Sequence, residues 1–282
     1  MTDDPKTLVS TAWLAAHLGD PDLRVIDASW YLPDMGRDGR AEYDAAHIPG
    51  ARYFDIDEIS DLRSPLPHMA PPVEKFMSRM RAMGVGDGHQ VVVYDGAGLF
   101  SAARVWWLFR LMGKTDCAVL DGGFGKWQAE GHPVEDMPPV TRDRHITVSR
   151  QNHLVKDVTQ VAAAAKLGSP QIVDARGAAR FRGEEPEPRP GLRSGHIPGS
   201  KNLHFRALLN DDGTMKDIDG LRAAFEGAGV DLSKPVITSC GSGVTAAILS
   251  LALERLGHRD HALYDGSWSE WGQFDHLAVE KG

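Results

Sequence analysis

Short runs of β-branched and aliphatic residues recur along the chain, each bounded by charged, glycine or proline positions. Val25-Ile26 and Val91-Val92-Val93 stand in the first half, Ile172-Val173 and Val236-Ile237 in the second. These runs lack polar alternation and read as strands buried on both faces. Between them lie stretches with apolar positions every three or four residues, such as Val73 to Met83 and Leu221 to Gly227. Ser101 to Met112 sets Val105, Leu108, Phe109 and Met112 at helical spacing. Thr245 to Leu256 does the same with Ile248, Leu249, Ala252, Leu253 and Leu256. Strands alternating with helices predict an α/β fold, with a parallel sheet covered on both faces.

The pattern is written twice. Arg24-Val25-Ile26-Asp27-Ala28 is answered by Gln171-Ile172-Val173-Asp174-Ala175, and Ala46-His47-Ile48-Pro49-Gly50-Ala51 by Gly195-His196-Ile197-Pro198-Gly199-Ser200. Val91-Val92-Val93-Tyr94-Asp95-Gly96 matches Val236-Ile237-Thr238-Ser239-Cys240-Gly241. Leu120-Asp121-Gly122-Gly123, with Trp127, matches Tyr264-Asp265-Gly266-Ser267, with Trp271. Four matches in one order and at nearly constant spacing predict two homologous domains. Their expected extents are residues 1–135 and 153–282, with a linker at 136–152. Pro133, Pro138 and Pro139 interrupt regular structure around the join. Asp27 and Asp174 end strands and are expected to cap or brace the fold.

Composition narrows the functions open to such a pair. A hydrophobic content of 42% supplies packed cores, and no apolar run approaches the roughly 20 residues that span a bilayer. A net charge of −8 argues against nucleic acid or an anionic membrane as partner. The acidic start, Met1-Thr2-Asp3-Asp4, carries no secretory or transit signature, so a cytoplasmic location is expected. The two cysteines, Cys117 and Cys240, make no disulfide framework and fit a reducing compartment. No Cys/His cluster has metal-ligand spacing, and neither metal nor cofactor is expected.

Chemistry concentrates where a strand runs out into a helix. Each copy has one such loop: Asp95-Gly96-Ala97-Gly98-Leu99-Phe100 and Cys240-Gly241-Ser242-Gly243-Val244-Thr245. Glycines at the second and fourth positions let successive N–H groups turn inward as an anion cradle, to which the next helix adds its positive end. A cysteine at the head of that cradle meets the conditions for thiolate formation. Cys240 is therefore the expected nucleophile. Asp95 in the same place cannot carry sulfur, so only the second domain should be catalytic. Cys117, at the start of a predicted strand with no such loop, reads as structural.

These residues resemble the tandem-domain rhodanese family. Tyr43, His47-Ile48-Pro49-Gly50-Ala51 and Phe54 are similar to its N-terminal motif, and Tyr94-Asp95, Asp265-Gly266-Ser267-Trp268 and Glu270-Trp271 also fit. The resemblance covers essentially the whole chain and implies two rhodanese-like domains, each a mainly parallel sheet flanked by helices. It also implies sulfur transfer through a Cys240 persulfide. Family members acting on thiosulfate usually carry basic residues after the cysteine, whereas Cys-Gly-Ser-Gly-Val-Thr resembles the branch that uses 3-mercaptopyruvate. That donor carries its carboxylate some atoms from its sulfur, so its charge need not be met inside the loop. The resemblance assigns the carboxylate to the first and last arginines of the segment Arg180 to Arg189. Arginine's planar fork suits that task. Gly241, Gly243, Val244 and Thr245 would complete the substrate site.

Transfer would expel the enolate of pyruvate, and an acceptor thiol, which the resemblance implies is that of a thioredoxin, or cyanide would then remove the outer sulfur. Ser242 is the expected proton donor, with His47 and Asp38 as its implied partners from the first domain. The same histidine position is filled by His196 in the second copy, which is also compatible with a role in shaping a turn. Thiosulfate:cyanide transfer is the nearest alternative. A cysteine phosphatase would need an arginine six residues after Cys240, where Ala246 stands. A non-enzymatic sulfur carrier would have no use for Arg180 and Arg189.

Overall fold

The computed structural model describes residues 2–282 and divides into two units. Unit 1 comprises the chain as far as Leu62 together with Ala70–Gln151 and Asp211–Met215. Unit 2 comprises Arg63–Met69, Asn152–Asn210 and Lys216–Gly282. The units are thus assembled from interleaved segments and not from two uninterrupted halves.

Unit 1 holds five strands: β1 (Leu8–Val9), β2 (Leu23–Asp27), β3 (Arg52–Tyr53), β4 (Gln90–Tyr94) and β5 (Cys117–Leu120). All pair in parallel, in the order β1-β5-β4-β2-β3. Unit 2 repeats this with β6 (Val155–Lys156), β7 (Gln171–Asp174), β8 (Lys201–Asn202), β9 (Val236–Ser239) and β10 (His261–Tyr264). Its order is β6-β10-β9-β7-β8, again parallel throughout. The uniformly apolar runs are therefore strands sealed on both faces: Val91, Val92 and Val93 are wholly buried, and Val236 and Ile237 nearly so.

The helices are α1 (Thr11–His17), α2 (Gly39–Ala45), α3 (Val73–Ala82), α4 (Ala102–Leu111) and α5 (Gly123–Ala129) in unit 1. In unit 2 they are α6 (Val158–Leu167), α7 (Ala178–Arg182), α8 (Ile218–Gly227), α9 (Ala246–Arg255) and α10 (Ser267–Trp271). Four of them, α1, α2, α6 and α8, start at a polar side-chain cap. Asp157 and Gln160 close a reciprocal capping box on α6, and the Asp217 side chain accepts from Gly220 N–H at α8. The helices expected at 73–83, 101–112 and 245–256 form within one residue of those limits. That at 221–227 begins a turn earlier, at Ile218, because Asp217 caps it there.

The helices that follow the two chemistry-bearing loops, α4 and α9, are buried on nearly every side. A helix apolar all round belongs in a core, and this one fixes the loop ahead of it. One core packs Val9, Val25, Ile48, Val92, Leu120 and Trp127. The other packs Val161, Ile172, Ile197, Ile237, Trp268 and Trp271. Asp27 and Asp174 brace the turns that leave β2 and β7. Asp27 Oδ1 accepts the Ser29 N–H at 2.8 Å, and Asp174 Oδ1 that of Arg176 at 2.9 Å.

Candidate active site

In unit 2, strand β9 delivers Cys240 to the mouth of the loop that opens α9, where the residue is only 2% exposed. The strand end is clamped from below by the start of α10. Ser267 Oγ accepts the Cys240 N–H at 3.2 Å and donates to the Tyr264 carbonyl at 2.8 Å. Trp268 N–H donates to the Cys240 carbonyl at 3.0 Å, and Ser269 N–H to that of Gly241 at 2.8 Å. Within the loop Gly243 takes a left-handed conformation, at φ +78°.

Unit 1 shows what such a loop is built to hold. Asp95, which stands in the place of Cys240, is fully buried. Its Oδ2 accepts N–H bonds from Phe100, Ser101 and Ala102 at 2.8, 2.9 and 2.8 Å, and its Oδ1 one from Ala97 at 2.9 Å. Four converging backbone donors on one carboxylate form an anion cradle with the anion supplied by the chain itself. Ser242, Thr245, Ala246 and Ala247 occupy the matching positions around Cys240.

Two arginines frame the cysteine loop. Arg180, from α7, lies so close to Gly241 that a side chain there would start 3.3 Å from Arg180 Nη2. That Nη2 donates to Glu187 Oε2, while the buried Nε has no partner among the described residues. A guanidinium oriented on one edge and open on another can receive a carboxylate. Arg189 reaches the other side of the loop, its Nη2 3.5 Å from Ser242 Oγ. Glu187 is the hub that fixes this wall. Its second oxygen takes Arg176 Nη1 at 2.6 Å, and Arg176 in turn pairs with Asp174 at 2.7 Å. Arg176 is buried, lies over the Trp268 ring at 4.4 Å, and its pKa is raised because two carboxylates outweigh its desolvation.

A model of the rhodanese-like domain matches residues 10–130 and again residues 157–274. The chain belongs to the rhodanese family. The Escherichia coli K12 protein described as 3-mercaptopyruvate sulfurtransferase is 44% identical over 273 residues, covering 96% of this chain and 97% of that one. An Arabidopsis thaliana relative, described as thiosulfate/3-mercaptopyruvate sulfurtransferase 1, mitochondrial, is 42% identical over 99% of this chain and 79% of its own. Among solved structures, an Escherichia coli protein reported for the fold and mechanism of 3-mercaptopyruvate sulfotransferases superposes with a TM-score of 0.85. It is 43% identical, with 93% of this chain and 99% of that one covered.

Within this rhodanese pair, Ser242 of the cysteine loop lies beside Arg189, and Gly241 beside Arg180, the two arginines that the resemblance had singled out. His47 and Asp38 belong to unit 1. His47 is wholly buried in unit 1, its Nδ1 2.7 Å from the Tyr43 carbonyl and its ring stacked on Tyr43 at 4.1 Å. Its N–H donates to the Glu135 carbonyl. His196 repeats the arrangement in unit 2, with Nδ1 2.8 Å from the Phe181 carbonyl and its N–H on Glu280. One contact set serving both copies, only one of which has a cysteine at the head of its loop, marks a turn-shaping histidine. Asp38 is exposed and caps α2, its Oδ1 accepting from the N–H groups of Arg40 and Ala41 at 3.0 and 3.1 Å. The histidine beside the loop is instead His68, whose Nδ1 lies 3.0 Å from Ser242 Oγ. It is buried and sits at φ +60°, a backbone conformation unusual for histidine. Its only local signal is its place in the aperiodic stretch Pro65-Leu66-Pro67-His68-Met69-Ala70-Pro71-Pro72. Cys117 is wholly buried in β5, and burial raises its thiol pKa far above the ordinary value, so it remains a neutral core residue.

Proposed function

We propose that the protein is a 3-mercaptopyruvate sulfurtransferase whose second unit does the chemistry. The observation that carries this reading is the neutral cysteine loop flanked by Arg180, with its unpartnered Nε, and by Arg189. A donor whose carboxylate lies some bonds from its sulfur can place sulfur at Cys240 and charge at the two guanidinium groups. Gly241, Gly243, Val244 and Thr245 form the floor on which it rests. The relatives named for the same donor support this assignment.

Thiolate Cys240 attacks the sulfur of the substrate. The S–S bond forms as the C–S bond breaks, its electron pair leaving with carbon as the enolate of pyruvate. Cys240 is left as a persulfide, and the cradle amides stabilise negative charge before and after transfer. The enolate takes a proton at carbon from Ser242, which His68 re-protonates across their 3.0 Å contact. In this reading His68 takes the part first expected of His47. An acceptor thiolate, that of a small thiol or of a thioredoxin-like dithiol protein, or cyanide, then attacks the outer sulfur and releases the Cys240 thiolate. The cycle consumes free thiols and fits a reducing compartment such as the cytoplasm.

Intact-protein mass after exposure to each donor tests the reading. One added sulfur atom from 3-mercaptopyruvate should map to Cys240, with pyruvate released once a thiol is present. Cys240→Ser should abolish both, while Cys117→Ser should retain them. Faster loading from thiosulfate than from 3-mercaptopyruvate would overturn the donor assignment, and a dead Cys117→Ser the nucleophile.

A further inference from the structure

Unit 1 carries a second concentration of positive charge that the sulfur chemistry does not use. Arg24 on β2, Arg52 on β3, and Arg142 and Arg144 on the irregular segment beyond α5 line a cavity of about 250 Å³, completed by Gly84 and Val140. None of the four arginines pairs with a carboxylate among the described residues. The inner two are anchored by backbone carbonyls, which orient a guanidinium without neutralising it. Arg24 Nε donates to Gly84 at 3.0 Å and its Nη1 to Pro21 and Leu23, both at 2.7 Å. Arg52 Nε donates to Met83 at 2.7 Å and its Nη1 to Gly50 at 2.6 Å. The outer two, Arg142 and Arg144, are exposed. Burial and the charge of Arg144 lower the Arg24 pKa, with Asp22 opposing; burial and Arg24 lower that of Arg52. Positive charge is thus concentrated locally, with Asp22 opposing it only at Arg24, in a chain whose net charge is −8.

We propose that this four-arginine cavity is a binding site for a small, multiply charged oxyanion of the phosphate or diphosphate class. Fixed guanidinium forks match the oxygens of a phosphoryl group, two N–H donors at a time. An anion in the cavity would replace mutual repulsion of the arginines with four attractions. The volume is below the roughly 300–1,000 Å³ of sites for larger organic ligands, which selects a compact anion. The site lies in unit 1 and is built from residues other than those around Cys240, so the two can be separated by mutation.

Titration calorimetry of the whole protein with inorganic diphosphate, at ionic strength held constant with sodium chloride, tests the proposal. One saturable site is expected, weakened by about tenfold or more in the double variant Arg142→Ala/Arg144→Ala, which alters exposed side chains only. Turnover of 3-mercaptopyruvate by that variant without diphosphate should match the parent. Equal affinity in parent and variant would place the anion elsewhere, the cysteine loop included, and overturn the proposal. So would the absence of saturable binding by the parent.

Discussion

Replacing Asp95 by Asn tests the cradle principle where no catalysis intervenes. The asparagine can present one oxygen to the N–H groups of Phe100, Ser101 and Ala102, which now bind Asp95 Oδ2 at 2.8–2.9 Å. Its amide nitrogen then meets the Ala97 N–H, which Oδ1 now accepts at 2.9 Å, donor against donor. Bonds to a charged acceptor contribute about 1 kcal/mol more than neutral ones, so three of them lose about 3 kcal/mol together. A buried donor left without an acceptor costs a further 1–3 kcal/mol or so. The total, about 4–6 kcal/mol, corresponds to a melting temperature lowered by roughly 10 °C or more for a unit of this size. Calorimetric melting at neutral pH reads the effect directly. Persulfide formation at Cys240, assayed well below the transition, should persist. A loss of stability under about 1 kcal/mol would mean that these amides are not committed to an anion. The same inference for the loop around Cys240 would then lose its internal precedent.

Further predictions concern the site and the pH response. Arg189→Ala should raise KM for 3-mercaptopyruvate about tenfold with a smaller change in kcat, since it removes carboxylate binding; an unchanged KM would remove Arg189 from the site. Ser242→Ala and His68→Gln should each lower kcat by about a hundredfold, and the double variant should be little worse than either. Additive losses would show that the two do not act as one relay. Burial raises the Asp27 pKa from 3.8 to about 6, partly opposed by the hydrogen bonds from Ser29. A carboxyl whose folded value lies above its unfolded value contributes stability that is complete below about pH 4 and lost as pH rises through about 6. Asp27→Asn should therefore flatten that decline and stabilise the protein at pH 7.5 by up to roughly 3 kcal/mol. Melting curves from pH 4 to 8 that keep the parent's slope would contradict this.

Much of the fold was legible from local pattern. Buried parallel strands are continuous apolar runs, so Val91-Val92-Val93 and Val236-Ile237 declared themselves. The repeat paired each element of one unit with its counterpart in the other. The cysteine loop was legible too, because strand, cysteine, spaced glycines and helix follow one another within a few residues. Arg180 and Arg189 were found by resemblance, but their support was not: the Glu187 side chain is buried between Arg176 and Arg180.

The amino-acid order by itself determined that the chain is two copies of one α/β unit, and that only the second has a cysteine at the head of its strand-to-helix loop. Those features rest on periodicity and on contacts between near neighbours, which leave a mark in the sequence. The tertiary structure alone decided the company Cys240 keeps. His68 and Ser242 meet across 174 residues, and the segment Arg63–Met69 that brings His68 into unit 2 has no periodicity to announce where it goes. A motif histidine such as His47 is conspicuous in sequence because a tight turn needs a compact, recurrent residue set. The histidine that can exchange a proton with Ser242 is set by a long-range approach of two loops, which no local pattern encodes.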